Sequence, residues 1–244
     1  MRVVSGCSAY LTRSALYETV LLATKKTPRC HVQKIAAGSG IGKRATLEML
    51  YKLQHEDLMT LDDEEVVVTP EQRMRIAIFA VAQGNDPETV SRRLRWQEFE
   101  SLADRILARE GYDTKTHFIF KYLGRRFEID VLGAKEPLLL CIDCKHWQYG
   151  WTSSRIAAAV KNQLLRVTSL SQSYGQQESK LSTCQWKSVR MLPVLLTLAD
   201  TPSRIVNGVP TVSALRFGTF LSEIDPWIEQ LNFVDVKSRQ TNLT

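Results

Sequence analysis

Apolar residues recur every three or four positions through the first third of the chain, which is the spacing of an amphipathic helix. This spacing predicts helices over residues 14–24, 32–37, 41–55 and 71–81. Between the third and fourth helices, an acidic turn at residues 62–65 separates two short apolar runs and predicts a two-stranded ribbon. The chain therefore begins with a helix-rich unit that carries a small ribbon.

The pattern changes near residue 85. Asp86 and Pro87 are typical of a helix start, and one long helix is predicted over residues 88–110, ended by Gly111. Strands are predicted over residues 117–122, 125–132, 138–146, 190–198 and 209–212, and helices over residues 153–169 and 217–231. This order of elements is typical of an α/β domain with a mixed sheet.

The boundaries follow from these patterns. We predict a first domain at residues 1–86, a second at residues 87–235 and a tail at residues 236–244. Three helices followed by a ribbon resemble a winged helix-turn-helix domain. That resemblance implies that the helix over residues 41–55 enters a DNA groove, with the DNA contacts Lys43, Arg44 and Lys52. Winged helices also serve dimerisation, so a homodimer is the alternative role of this unit.

Composition narrows the class of protein only slightly. The 244 residues are 44% hydrophobic and 24% charged, as in ordinary soluble proteins. The net charge of +6 mildly favours a polyanionic partner. The apolar runs are too short to span a bilayer and no apolar leader opens the chain, so we expect a cytoplasmic protein without a membrane partner. Five cysteines, an odd number, do not indicate a disulfide framework.

The sequence LCIDCKHW at residues 140–147 has two interpretations, a Cys-x-x-Cys site or an Asp-x-Lys site. Successive side chains of a strand point to opposite faces, so Cys141 and Cys144 cannot both bind one zinc ion. We predict that both are small buried hydrophobic residues. Asp143 and Lys145 share one face of this strand, and this face holds the candidate catalytic side chains.

The preceding strand supplies a second carboxylate. If the two strands pair as a hairpin around residues 133–137, Asp130 lies beside Asp143. Two carboxylates on neighbouring strands make the oxygen-rich site that Mg²⁺ prefers. A lysine beside them can hold a water molecule and offset the charge that develops on a phosphate. These residues predict a site for phosphodiester hydrolysis.

Three segments, WQEFESLADRILAREGY, FEIDVLG and LLLCIDCKHW, resemble the PD-(D/E)xK nuclease superfamily, in particular Mrr-like restriction endonucleases and archaeal Holliday-junction resolvases. The resemblance implies a restriction-endonuclease-like mixed β-sheet flanked by helices. It implies that Asp130, Asp143 and the backbone carbonyl of Cys144 hold Mg²⁺, for which Mn²⁺ can substitute. Glu100 would bind through water or a second metal ion, and Lys145 would position the attacking water.

Neighbouring carboxylates compete for two of these assignments. Glu98 is the alternative to Glu100, and Glu128 is the alternative to Asp130. His117 lies in a predicted strand with no His or Cys nearby, and we predict a structural role for it.

The helix after the Asp-x-Lys strand carries Lys161 and Gln163, where related nucleases place substrate contacts. A solvated helix face explains these two residues equally well. An aromatic run follows the lysine and predicts either base stacking or packing against the sheet edge. The run consists of His146, Trp147, Tyr149 and Trp151.

We therefore expect a Mg²⁺-dependent endonuclease that acts on DNA. Two alternatives remain open: a winged-helix transcription regulator with a non-catalytic second domain, and an RNA-processing nuclease. The sequence leaves the target open among a base sequence, a modified base, a junction and a flap.

Overall fold

The chain divides between residues 99 and 100 into two units in the computed structural model, which describes residues 4–145 and 152–237. The pattern of hydrophobic and polar residues predicts this boundary between residues 86 and 87 instead. The difference arises because the helix that follows Pro87 packs on the helices of the first unit. Within the described ranges, no helix is both long enough and apolar enough to cross a membrane.

The first unit contains the predicted helices and ribbon, together with one strand that the pattern missed. Its elements are α1 (Val4–Ala23), β1 (Arg29–His31), α2 (Val32–Ser39), α3 (Lys43–His55), β2 (Thr60–Asp62), β3 (Glu65–Val67), α4 (Pro70–Ala82) and α5 (Pro87–Arg93). The three strands form an antiparallel sheet in the order β1-β3-β2. With three residues, β1 is too short to show an alternating pattern, and its pairing with β3 defines it.

Local capping fixes the ends of these helices. The His31 side chain accepts a hydrogen bond from the backbone N–H of Gln33 at the start of α2. Gly40, with a φ of 68°, ends the same helix in the left-handed region that glycine tolerates. At the start of α4, Thr69 and Gln72 form a reciprocal capping box.

The long helix predicted over residues 88–110 is wrong, because it is two helices. The backbone of Leu94 is extended, with φ −84° and ψ 162°, and α6 (Trp96–Arg109) begins after it. The Glu98 side chain accepts the Arg95 N–H at 2.8 Å and so caps the new helix. No glycine or proline marks this break, and the Leu94 side chain is buried where the chain turns. As predicted, the second helix ends before Gly111, whose φ is 81°.

The second unit is a mixed sheet flanked by helices, and the predicted α/β class is confirmed. Its further elements are β4 (Asp113–Tyr122), β5 (Arg125–Lys135), β6 (Leu138–Lys145), α7 (Ser153–Gln172), α8 (Tyr174–Gln177), β7 (Ser188–Thr197), β8 (Ile205–Val206), β9 (Val209–Ser213), α9 (Phe217–Ser222) and β10 (Val234–Lys237). The strand order is β4-β5-β6-β7-β9-β8, and β10 also pairs with β7. Strands β4 to β6 are antiparallel, whereas β6, β7 and β9 are parallel.

The end of the chain differs from its prediction. Instead of a helix over residues 217–231, α9 ends at Ser222 and a 3₁₀-helix spans Asp225–Gln230. Pro226 opens this second segment, since a proline cannot donate the backbone hydrogen bond that a continued α-helix needs. The predicted tail at residues 236–244 is corrected in part, because residues 236 and 237 pair with β7 in the sheet.

Close packing holds α6 against β5. Gly133 of β5 faces the Leu107 side chain of α6, and a Cβ added at Gly133 would lie 2.8 Å from a Leu107 methyl group. Only a glycine permits this approach of helix to strand. It fixes the helix that carries Glu100 above the strand that carries Asp130.

Candidate active site

The pairing of β5 with β6 brings the two predicted aspartates together. Val131 pairs with Ile142, so the next position places Asp130 beside Asp143. Asp130 Oδ2 accepts the Cys144 N–H at 2.8 Å, and both aspartates are buried. The predicted hairpin and its register are therefore confirmed.

Two cations contact the Asp143 carboxylate. Lys145 Nζ lies 2.7 Å from Asp143 Oδ2, as expected for residues on one face of a strand. Arg166 Nη1 of α7 lies 3.1 Å from Asp143 Oδ1. Sequence reasoning missed Arg166. The available signal is its position three residues after Gln163, which puts both on one side of a helix.

Glu100 meets His117 at the edge of this site. Glu100 is buried on α6, and His117 Nε2 of β4 lies 3.3 Å from Glu100 Oε2. His117 Nδ1 lies 3.3 Å from Glu128 Oε1. The His117 φ of 51° is a left-handed conformation that non-glycine residues rarely adopt and that is concentrated at functional sites. The structural role predicted for His117 stays a prediction, and the residue lies between two carboxylates.

The structure separates the competing carboxylates. Glu98 is buried in the first unit, where Arg73 Nε donates to it at 2.7 Å. Glu128 lies on β5 two residues before Asp130, but its side chain is exposed. Glu100 and Asp130 are the two that belong to the buried acidic site.

The pKa of the Asp130 carboxyl depends on its burial and on the charges of the other site residues. Burial, followed by the Asp143 and Glu100 carboxylates, raises the pKa of Asp130 from 3.8 to about 7. The Cys144 N–H and the Lys145 ammonium act in the opposite direction. Glu100, Asp130, Asp143 and Lys145 are therefore close enough to interact, although they come from three separate elements.

The donor chemistry of this site fits a hard cation. In the part of the chain that the structure describes, no three or more His, Cys, Asp or Glu side chains are grouped to hold a metal ion. Burial and, after it, repulsion from the Asp143 and Glu100 carboxylates nevertheless raise the pKa of Asp130, and a divalent cation would relieve this repulsion. Asp130, Asp143 and the Cys144 carbonyl supply oxygen atoms, which Mg²⁺ prefers.

The cysteine thiols do not offer an alternative site. Cys141 and Cys144 are free and buried, as predicted for small hydrophobic residues. Burial raises the pKa of both thiols above its usual range. A protonated buried thiol is neither a strong nucleophile nor a metal ligand.

The predicted DNA contacts of the first unit are all exposed. Lys43 Nζ lies 2.8 Å from Glu64 Oε1 in the acidic turn, and Arg44 Nε lies 3.3 Å from Glu48 Oε1. Lys52 lies about two turns further along α3 than Arg44. Such surface ion pairs contribute only about 0–1 kcal/mol, so they leave the side chains available to phosphates.

On α7, Lys161 is exposed but Gln163 is fully buried. Gln163 Nε2 donates to the Cys141 carbonyl at 2.7 Å, and its Oε1 accepts from Arg166 at 3.2 Å. The prediction that Gln163 contacts DNA is therefore corrected, because the residue instead orients Arg166 beside Asp143. The aromatic residues His146, Trp147, Tyr149 and Trp151 lie outside the described residues.

We expect Gln163→Leu to destabilise the second unit by about 1–3 kcal/mol, because it leaves the buried Cys141 carbonyl unsatisfied. Lys161→Ala should instead weaken DNA binding in a salt-dependent way while leaving stability within about 0.5 kcal/mol. Urea unfolding and fluorescence anisotropy separate the two effects. An unchanged stability of Gln163→Leu would contradict this assignment.

The raised pKa of Asp130 predicts a pH-dependent stability. Below about pH 4 the carboxyl is protonated in both folded and unfolded chains. As the pH rises towards 7, the unfolded chain releases this proton first, so the folded state loses stability until the folded pKa of about 7 is passed.

Asp130→Asn removes this loss and retains an oxygen that can accept the Cys144 N–H. Relative to wild type, the variant should gain on the order of 2 kcal/mol between pH 5 and pH 8. Urea unfolding in EDTA measures the difference. Parallel pH profiles for the two proteins would show that Asp130 does not titrate in this range.

Comparisons with other proteins identify few relatives. No protein-family model matches the chain. An uncharacterized protein of Archaeoglobus fulgidus is 29% identical over 141 residues, which are 58% of this chain and 100% of that protein.

Two crystal structures match at low similarity. The protein of unknown function AF1548 has a TM-score of 0.29 and 18% identity, over 49% of this chain and 51% of that one. The protein VC1899 from Vibrio cholerae has a TM-score of 0.41 and 13% identity, over 93% of this chain and 53% of that one. The chain thus spans about half the length of each of these two proteins.

Proposed function

We propose that the protein is a metal-dependent endonuclease of the PD-(D/E)xK type that hydrolyses DNA phosphodiester bonds. The observation that carries the proposal is the Asp143 carboxylate, which lies beside Asp130 and contacts both Lys145 and Arg166. A mixed sheet with the acidic residues on neighbouring strands, and Glu100 on the preceding helix, supports a restriction-endonuclease-like fold.

The chain's own residues divide the chemistry between them. Asp130, Asp143 and the Cys144 carbonyl would hold a Mg²⁺ ion, which would supply Lewis-acid chemistry by polarising the phosphate and lowering the pKa of bound water. Lys145 orients the attacking water and balances negative charge on the phosphate. Arg166 presents a fixed guanidinium that suits phosphate oxygens.

Glu100 and His117 form a further pair at the site edge. The His117 ring is about half exposed and lies between two carboxylates, so it is accessible to a substrate. This position suits proton delivery to the leaving oxygen after the P–O bond breaks. His117 is thus a candidate general acid.

We further propose that the first unit is a winged helix-turn-helix module. Its order of helix, strand, two helices and a two-stranded ribbon supports this fold. The exposed basic residues of α3 favour DNA as the partner. The acidic turn next to Lys43 favours the alternative, a contact between two copies of the chain.

A cleavage assay tests the proposal. Supercoiled plasmid, a four-way junction, a flap and an RNA of matched sequence are incubated with the protein in Mg²⁺, Mn²⁺ or EDTA. We expect DNA cleavage in either metal and none in EDTA. Cleavage of RNA alone would favour an RNA-processing nuclease. Tight metal-free DNA binding without any cleavage would favour a transcription regulator.

A further inference from the structure

A cavity of about 200 Å³ lies in the second unit, apart from the acidic site. It opens where the parallel strands β7 and β9 end. Lys145 pairs with Thr197, and Thr197 pairs with Ser213, which lines the cavity. Two strand spacings, roughly 10 Å, therefore separate the cavity from Lys145.

The floor of this cavity presents hydrogen-bond acceptors. Thr211 Oγ1 donates to the Ser203 carbonyl at 2.5 Å, and Thr201 Oγ1 lies 2.8 Å from the same carbonyl. Ser213 Oγ donates to Asp200 Oδ1 at 2.6 Å. Each hydroxyl has a single proton, and these protons are already used within the protein. A ligand that satisfies the floor must bring its own N–H or O–H donors.

The walls and rim have a different chemistry. Phe220 and Trp227 line the cavity and are partly exposed, so their rings are available to a flat ligand. Arg204 and Arg216 are exposed at the rim. Arg216 Nε donates to Asp200 Oδ2 at 2.9 Å, and both side chains line the cavity. Guanidinium groups at a rim suit a phosphate.

We propose that this cavity binds a single nucleotide whose base carries an exocyclic amino group. The base lies between the aromatic side chains and donates to the acceptors of the floor, and its phosphate meets Arg204 and Arg216. The volume is below the ~300–1,000 Å³ of sites for drug-sized ligands, so it holds one ring system.

The nucleotide has two sources, a free mononucleotide or a base extruded from a nucleic acid strand. The binding requires no cleavage chemistry. Its test is therefore separate from that of the endonuclease activity.

Calorimetric titration in EDTA tests the proposal with dAMP, dCMP and dTMP. We expect dAMP or dCMP to bind at least about tenfold more tightly than dTMP. Thymine has no amino group, so its carbonyl oxygens would face the hydrogen-bond acceptors of the floor without a donor between them. The nucleoside without phosphate should bind about tenfold more weakly than its nucleotide.

The variants Arg204→Gln and Phe220→Ala should each weaken binding by about five- to tenfold. The matched control Arg126→Gln, at an exposed arginine of β5, should bind as wild type does. Circular dichroism checks that each variant is folded.

Oligonucleotides distinguish the two sources. If the natural ligand is a base extruded from a strand, single-stranded decamers will compete with the nucleotide for the cavity. Replacing the central base by an abasic site will then abolish this competition. Nucleotide binding without competition by decamers identifies a free nucleotide. No binding by either ligand, or binding that Arg204→Gln and Phe220→Ala leave unchanged, would overturn the proposal.

Discussion

Replacing Lys145 by alanine is expected to lower the rate of DNA cleavage by roughly 10²- to 10³-fold while the protein stays folded. Lys145 Nζ lies 2.7 Å from Asp143 Oδ2, and its side chain is 22% exposed. The ammonium is therefore held at the carboxylate yet remains accessible to a substrate. If Lys145 acts as proposed, its loss removes the group that orients water and offsets charge on the phosphate.

The same substitution also changes the acidic site. The Lys145 charge acts to lower the pKa of Asp130, so its removal allows that pKa to rise further. We expect the pH at which cleavage reaches half its maximum to move upwards in any residual activity. This shift distinguishes a residue of the site from one that merely supports the fold.

Two further variants make the result decisive. Lys121→Ala removes an exposed lysine of β4 and should cleave as wild type does. Asp143→Asn keeps the size of the side chain but removes the charge that Lys145 and Arg166 contact, and should be as inactive as Lys145→Ala. Wild-type cleavage rates in both Lys145→Ala and Asp143→Asn would show that neither residue takes part in the reaction.

The parts of the site that sequence predicts are those set by local geometry. Strand alternation alone places Asp143 and Lys145 on one face. The short turn between β5 and β6 then fixes the register, because a hairpin with a tight turn has few ways to pair. Asp130 beside Asp143 follows from these two local rules.

The missed parts are set by tertiary packing. Arg166 reaches Asp143 only because α7 presents that face to the sheet, with Gln163 bonded to the Cys141 carbonyl. His117 reaches Glu100 through the pairing of β4 with β5 and an unusual backbone conformation. No periodicity of apolar residues encodes either contact.

The break between α5 and α6 has the same kind of origin. Residues 88–110 have no glycine or proline after Pro87, so local preference favours one helix. Glu98 overrides this preference, because it accepts the Arg95 N–H and a hydrogen bond from the buried Arg73. A contact between residues 25 positions apart thus decides where a helix begins.

Arg73→Met is expected to destabilise the first unit by about 3–5 kcal/mol. Arg73 is fully buried, and Nε donates to Glu98 at 2.7 Å. Nη1 donates to the Leu21 carbonyl at 2.6 Å, and Nη2 donates to the Arg93 carbonyl at 2.7 Å. The substitution leaves a buried carboxylate and two buried carbonyls without these donors.

Urea unfolding of the full chain measures this effect, and Arg75→Met is its matched control. Arg75 is on the same helix and pairs with Asp57 at 2.9 Å, but both side chains are exposed. The control should cost less than about 1 kcal/mol. The double variant Arg73→Met with Glu98→Met should recover part of the loss, since no buried carboxylate then remains. Equal effects of Arg73→Met and Arg75→Met would show that the buried pair does not stabilise the first unit.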